Sequence, residues 1–185
     1  MRSIIVIGYH RSGTSYVASI LDHLGVDMGI NRSRDPDRGN PEGYFENSEF
    51  VRANQRLLEK GEMPNIKKIY TKNKGELWGA KDPRFIDTLK IWKHLFEDLH
   101  VIIVTRDPIA IAQSVCFQDD GKYSPKKIFT DVIRDVFNYY CKVPRLMKFN
   151  HFFYSFEQRP NKELAEFLGL PYEEEDIFKP DLKHF

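Results

Sequence analysis

The sequence predicts an α/β fold: three layers, α/β/α, around a mainly parallel central sheet. Three observations point there. Short apolar runs rich in β-branched residues alternate with segments whose apolar residues recur at helical spacing. The first run ends in a glycine-containing loop, "GYHRSGTS", that opens directly into a helix. The chain of 185 residues suits one domain spanning 1–185, because a chain of that size buries roughly 70% of the surface it exposes when unfolded.

The elements follow in order. "SIIVIG" is continuously apolar and stopped by Gly8, as expected of a strand covered on both faces. "TSYVASILDHLG" sets Val17, Ile20, Leu21 and Leu24 on one helical face and stops at Gly25. Residues 29 to 46, dense in Gly, Pro, Asp, Asn and Arg, read as a long loop, of a length that in compact domains is usually functional or mobile. Asn47 caps a helix running to Gly61, with Phe50, Asn54 and Leu57 on one side. "ELWGAKDP" is a short strand stopped by Pro83, and "RFIDTLKIWKHLFEDL" a helix facing Phe85, Leu89, Trp92 and Phe96 inward. "HVIIVTRDP" is the second clear buried strand, followed by a helix through "IAIAQSVCFQ" and a longer one starting at Ser124 and Pro125. "HFFYSF" is a last strand, and "NKELAEFLG" a helix capped by Asn161 and stopped by Gly169.

Composition narrows the function. Lys and Arg total 28 against 27 Asp and Glu, a net charge of +1, so no basic footprint for nucleic acid or an anionic membrane is expected and any anion site must be local. The opening apolar run is too short to span a membrane and lacks signal-peptide organisation, which predicts a cytoplasmic protein. Cys116 and Cys141 match no metal spacing and are expected to be buried thiols.

The first loop carries the chemistry. Gly8 to Gly13 has the G-x-x-x-x-G spacing of a nucleotide-phosphate loop, but Thr14 stands where a kinase or GTPase has its lysine. The loop cation is Arg11 instead. Loop amides, the positive end of the following helix, and the Ser12, Thr14 and Ser15 hydroxyls with Gly13 still suit a phosphate. The later strand ends in Thr105-Arg106 where a Mg²⁺-dependent enzyme would place an acid; an arginine there attracts a second anion.

In these residues the sequence resembles the sulfotransferase family. "GYHRSGTS" is similar to that family's 5′-phosphosulfate loop. "TRDPIAIAQS" is similar to its 3′-phosphate motif, a strand-terminal arginine and a serine eight residues later, here Arg106 and Ser114. The resemblance maps the strand-end lysine near the sulfuryl group to Lys81, and "GYFE" looks like the shorter bacterial branch, with Glu46 as base. It implies a core akin to the P-loop NTPases and a metal-independent sulfuryl transfer from 3′-phosphoadenosine 5′-phosphosulfate (PAPS) to a hydroxyl or amine of a small-molecule, carbohydrate or lipid acceptor. His10 stands where much of the family has proline, and adds a titratable group beside the loop. The basic motif that completes the family's 3′-phosphate site is not evident, and Lys179 or Lys183 are candidate substitutes.

On this reading Arg11 and the loop neutralise the leaving 5′-phosphate, Lys81 assists, and Glu46 takes the acceptor proton. His10, Glu42 and Asp82 are rival bases. The sequence leaves two other functions open, a P-loop kinase with a displaced cation and a non-catalytic module that binds PAPS or its product. The acceptor and the oligomeric state have no signature.

Overall fold

Alternation along the first strand sets the layers. The computed structural model describes residues 1–29, 45–118 and 125–173. In β1 (Arg2–Ile7), Ile5 and Ile7 face one layer and Ile4 and Val6 the other, and all four are fully buried. The first layer holds α2 (Ser48–Gln55), α3 (Ile66–Asn73) and α4 (Phe85–Trp92); Phe50, Tyr70, Phe85, Leu89 and Trp92 pack there with Phe96. The opposite layer holds α1 (Thr14–His23) and α7 (Asn161–Leu168), through Val17, Leu21, Leu164 and Leu168. Each large side chain fully buried in this way contributes about 1.5–3 kcal/mol.

Four strands form the sheet, β1, β2 (Leu77–Lys81), β3 (Leu99–Thr105) and β4 (Asn150–Ser155), in the order β2-β1-β3-β4 with every pair parallel. From β1 the chain moves outward to β2, then crosses back to β3 on β1's other side. The reversal falls between β1 and β3, the place where open α/β sheets bind ligands beyond the strands' carboxyl ends. The helical pair α5 (Pro108–Gln118) and α6 (Pro125–Tyr140) follows β3, joined through Ile111, Ala112, Val132 and Val136.

All four expected strands are present, and most helices lie where expected. The differences have local causes. The helix capped by Asn47 is α-helical only to Gln55 and finishes as a π-turn over Arg56–Lys60 before Gly61 in left-handed conformation. The helix after Pro83 stops at Trp92, followed by turns before β3. Helix α3 was not anticipated: its apolar stripe is only one turn long, Ile66, Ile69 and Tyr70, of which Tyr70 alone is fully buried, among three lysines; Asn65 caps it by accepting from the Lys68 amide. Asn161 is not the cap of α7. It lies inside the first turn and accepts from the Tyr154 hydroxyl while donating to Tyr16, so the tertiary bond takes precedence over the cap. The cysteines are not buried: Cys116 is half-buried on α5, and Cys141 is exposed just beyond α6. The Ser124 cap lies outside the described residues.

Candidate functional site

The loop leaving β1 is tight enough to demand glycine at two points. A β-carbon on Gly8 would lie 2.6 Å from Ser12 Oγ and 2.8 Å from the Val104 carbonyl. Gly13 has φ +93, and a β-carbon there would lie 2.1 Å from Phe156 Cδ2. Between them the Ser12 amide closes a turn onto the Tyr9 carbonyl, and Arg11 takes a left-handed backbone at φ 66, a conformation that costs an L-residue about 1–2 kcal/mol. Helix α1 starts at Thr14 with no side-chain cap and no acid in its first turn, so its amide dipoles face the loop without an internal anion. Ser12 Oγ is buried against Gly8 and has no hydrogen-bond partner among the described residues.

Across the sheet reversal stands Arg106, only 8% exposed. Its backbone is gripped by Tyr140, whose hydroxyl accepts from the Arg106 amide at 3.0 Å and donates to its carbonyl at 2.8 Å. Its Nη1 donates to the Arg11 carbonyl at 3.0 Å, and its guanidinium lies over the Phe156 ring, 4.8 Å from the centroid. No carboxylate among the described residues forms an ion pair with it. Burial pulls its pKa down, and the more distant charges of Glu157 and Asp107 oppose that. A pairing of Arg106 with Asp107 or Asp82 is absent: Asp107 Oδ1 accepts from the Ile109 and Ala110 amides and starts α5, and Asp82 is committed elsewhere. Ser114, two turns into α5, accepts from Arg11 Nε at 3.0 Å. The structure therefore brings Arg11, Arg106 and Ser114 together, and turns the loop cation toward the β3–α5 side.

Lys81 ends β2 and is 3% exposed, with Nζ 2.7 Å from Glu46 Oε1 and 3.4 Å from Ser15 Oγ. Burial lowers its pKa, while Glu46 first and Asp82 second oppose that shift. Asp82 is fully buried; Oδ1 accepts from the Arg84 amide and side chain at 3.0 and 2.9 Å, and Oδ2 from Asn54 Nδ2 at 2.9 Å. Burial still raises the Asp82 pKa against those bonds. Asn54 Oδ1 in turn accepts from Thr88 Oγ1 and Trp92 Nε1, both at 2.8 Å, so one buried amide ties α2 and α4 to the end of β2. His10 is exposed at the loop, its ring 4.1 Å from that of Tyr9; packing within the site and then Arg11 lower its pKa. Glu42, Lys179 and Lys183 lie outside the described residues, as does the charged stretch from Arg32 to Arg38.

Three contributors escaped the sequence reading. Asn54 gave a signal, a polar residue one turn from Phe50 on a core-facing stripe. Tyr140 and Phe156 gave none, because an aromatic at helix or strand spacing reads as ordinary core. Among the described residues no three His, Cys, Asp or Glu side chains gather as a metal site, and no helix is long and apolar enough to cross a membrane.

The site is thus framed by a parallel α/β sheet, with a glycine-containing loop leading from its first strand into α1 and, after its third, a buried arginine that makes no ion pair with a carboxylate among the described residues. The sulfotransferase domain family matches residues 1–159, and the chain belongs to that family. Its fold is similar to the crystal structure of retinol dehydratase in complex with androsterone and inactive cofactor PAP, at TM-score 0.51 and 15% identity. The match covers 96% of this chain and 63% of that one. No curated protein sequence matches the chain.

Proposed function

We propose that the chain is a PAPS-dependent sulfotransferase whose acceptor is a hydroxyl or amine of a small molecule, carbohydrate or lipid. The observation that carries the reading is Arg106: a guanidinium buried without a carboxylate partner is unfavourable by several kcal/mol unless an anion completes it. A nucleoside bisphosphate fits both ends of the site. The loop amides with Ser12, Thr14 and Ser15 hold the 5′-phosphate, and the unsatisfied Ser12 hydroxyl favours this. Arg106 and Ser114 hold the 3′-phosphate. The presence of PAP in the similar retinol dehydratase structure supports the same ligand class here.

The donor supplies a sulfuryl group on a phosphate leaving group; the chain supplies position and charge. Lys81, held at the strand end by the ladder to β1, provides the cation for charge that develops on the leaving oxygen. Glu46 takes the acceptor's proton. Its carboxylate lies against Lys81, so proton uptake removes the negative partner of that ammonium and leaves its charge for the leaving group. Arg11 adds a second guanidinium at Ser114.

The test separates binding from chemistry. Arg106→Ala should weaken 3′-phosphoadenosine 5′-phosphate by tenfold or more and adenosine 5′-phosphate by less than twofold; equal losses would take Arg106 out of the 3′ subsite. Glu46→Gln should retain bisphosphate binding and lower transfer from radiolabelled PAPS by about a hundredfold, the scale of a lost general base. Unchanged transfer would move that role to His10, Glu42 or Asp82.

A further inference from the structure

We infer that Phe156 is a positioning residue for 3′-phosphate recognition: its ring stabilises the Arg106 guanidinium without neutralising it, and so keeps the cation available to the ligand. The inference rests on the reading of Arg106 as the 3′-phosphate cation. Phe156 is placed by the sheet, because its amide donates to the Thr105 carbonyl at 2.9 Å and extends the β3–β4 ladder by one residue beyond Ser155. That sets the ring beside Arg106, 4.8 Å from ring centroid to guanidinium carbon, and it is itself buried. The ring also packs against residue 13, and has room there only because that residue is glycine. One ring therefore touches both halves of the site, the phosphate loop and the strand-end arginine.

A buried guanidinium needs a stabilising neighbour. A carboxylate would serve, but it would cancel the charge and compete with an incoming anion. The two nearest acids are occupied instead. Asp107 Oδ1 accepts from amides at the start of α5, while Glu157 accepts from the Asp107 amide at 2.8 Å and from Ser155 Oγ at 3.3 Å. An aromatic face attracts a cation through its quadrupole and carries no net charge, which leaves the cation's field intact. Arg159 also lies near the Phe156 ring, at 5.5 Å, but it is exposed and additionally lies over Tyr16.

The experiment removes the quadrupole and keeps the shape. Position 156 is replaced by phenylalanine carrying one, two or three ring fluorines, and binding of 3′-phosphoadenosine 5′-phosphate and adenosine 5′-phosphate is measured by calorimetry alongside the melting temperature. The expected result is a stepwise loss of bisphosphate affinity reaching up to about thirtyfold at three fluorines, the scale of a desolvated cation–π contact. Monophosphate affinity should stay within twofold, and Arg159→Ala should leave that slope unchanged. Phe156→Leu should reduce discrimination similarly and Phe156→Tyr should keep it. If the wild type discriminates between the ligands and the fluorinated series is flat, or both ligands weaken in parallel, Phe156 is only packing and the inference fails alone. If the wild type does not prefer the bisphosphate, the donor reading fails and takes the inference with it.

Discussion

Gly13→Ala tests how far loop, ring and arginine act as one body. Two costs are set by the geometry. The backbone at φ +93 lies in the left-handed region, where a β-carbon costs about 1–2 kcal/mol. That β-carbon would also stand 2.1 Å from Phe156 Cδ2, so the ring or the loop must move, an overpacking cost of about 1–3 kcal/mol. Alanine's lower unfolded-state entropy returns about 0.4–1 kcal/mol. The net expectation is a loss of about 1–5 kcal/mol in urea unfolding. Displacing the ring also disturbs Arg106, so bisphosphate affinity should fall at least tenfold in calorimetry. Gly25→Ala is the control: its φ is +86 but nothing lies within 4 Å of its added carbon, so it bears only the backbone cost and leaves binding unchanged. A Gly13→Ala protein within about 0.5 kcal/mol of wild type, a surface-substitution effect, with normal binding would refute the coupling.

Two further outcomes probe other parts of the account. Asn54→Ala strands the Trp92 indole N–H and one Asp82 oxygen in the core, while the Thr88 hydroxyl keeps the Arg84 carbonyl at 3.1 Å, and at about 1–3 kcal/mol per unsatisfied group should destabilise by at least about 2 kcal/mol in denaturant titration; a loss under about 1 kcal/mol would show that the network relaxes freely. For His10, lowered from 6.5 by packing and Arg11 against the opposing charges of Asp135 and Glu46, the unfolded chain binds more protons between the folded pKa and 6.5. Stability should therefore rise with pH through that window and level off above it, and His10→Gln should flatten the rise. An imidazole titration by NMR with a midpoint at or above 6.5 would contradict this.

The strands were legible because a parallel sheet covered on both faces needs unbroken apolar runs, and "SIIVIG" and "HVIIVT" have no other low-energy use. Glycine spacing singled out the loop and a strand end singled out Arg106, while Ser114 was expected only from its distance to Arg106 in the family resemblance; the structure brings Arg11, Arg106 and Ser114 together. What stayed hidden depends on long-range contact. Nothing in "NYYC" marks Tyr140 as the clasp on Arg106, 34 residues earlier. The Lys81–Glu46 pair joins two separately predicted site residues into one ion pair, which spacing along the chain could not show. Helix α3 was hidden because its charged residues outnumber the one side chain it buries.

The most direct measurement is calorimetric titration of the wild-type protein with 3′-phosphoadenosine 5′-phosphate in excess EDTA, against ATP with Mg²⁺. The account predicts metal-free bisphosphate binding at least tenfold tighter than Mg²⁺-ATP, because the buried Arg106 forms no ion pair with a carboxylate among the described residues and feels only the more distant charges of Glu157 and Asp107. Tighter binding of Mg²⁺-ATP would contradict it and make the loop that of a kinase with a displaced cation.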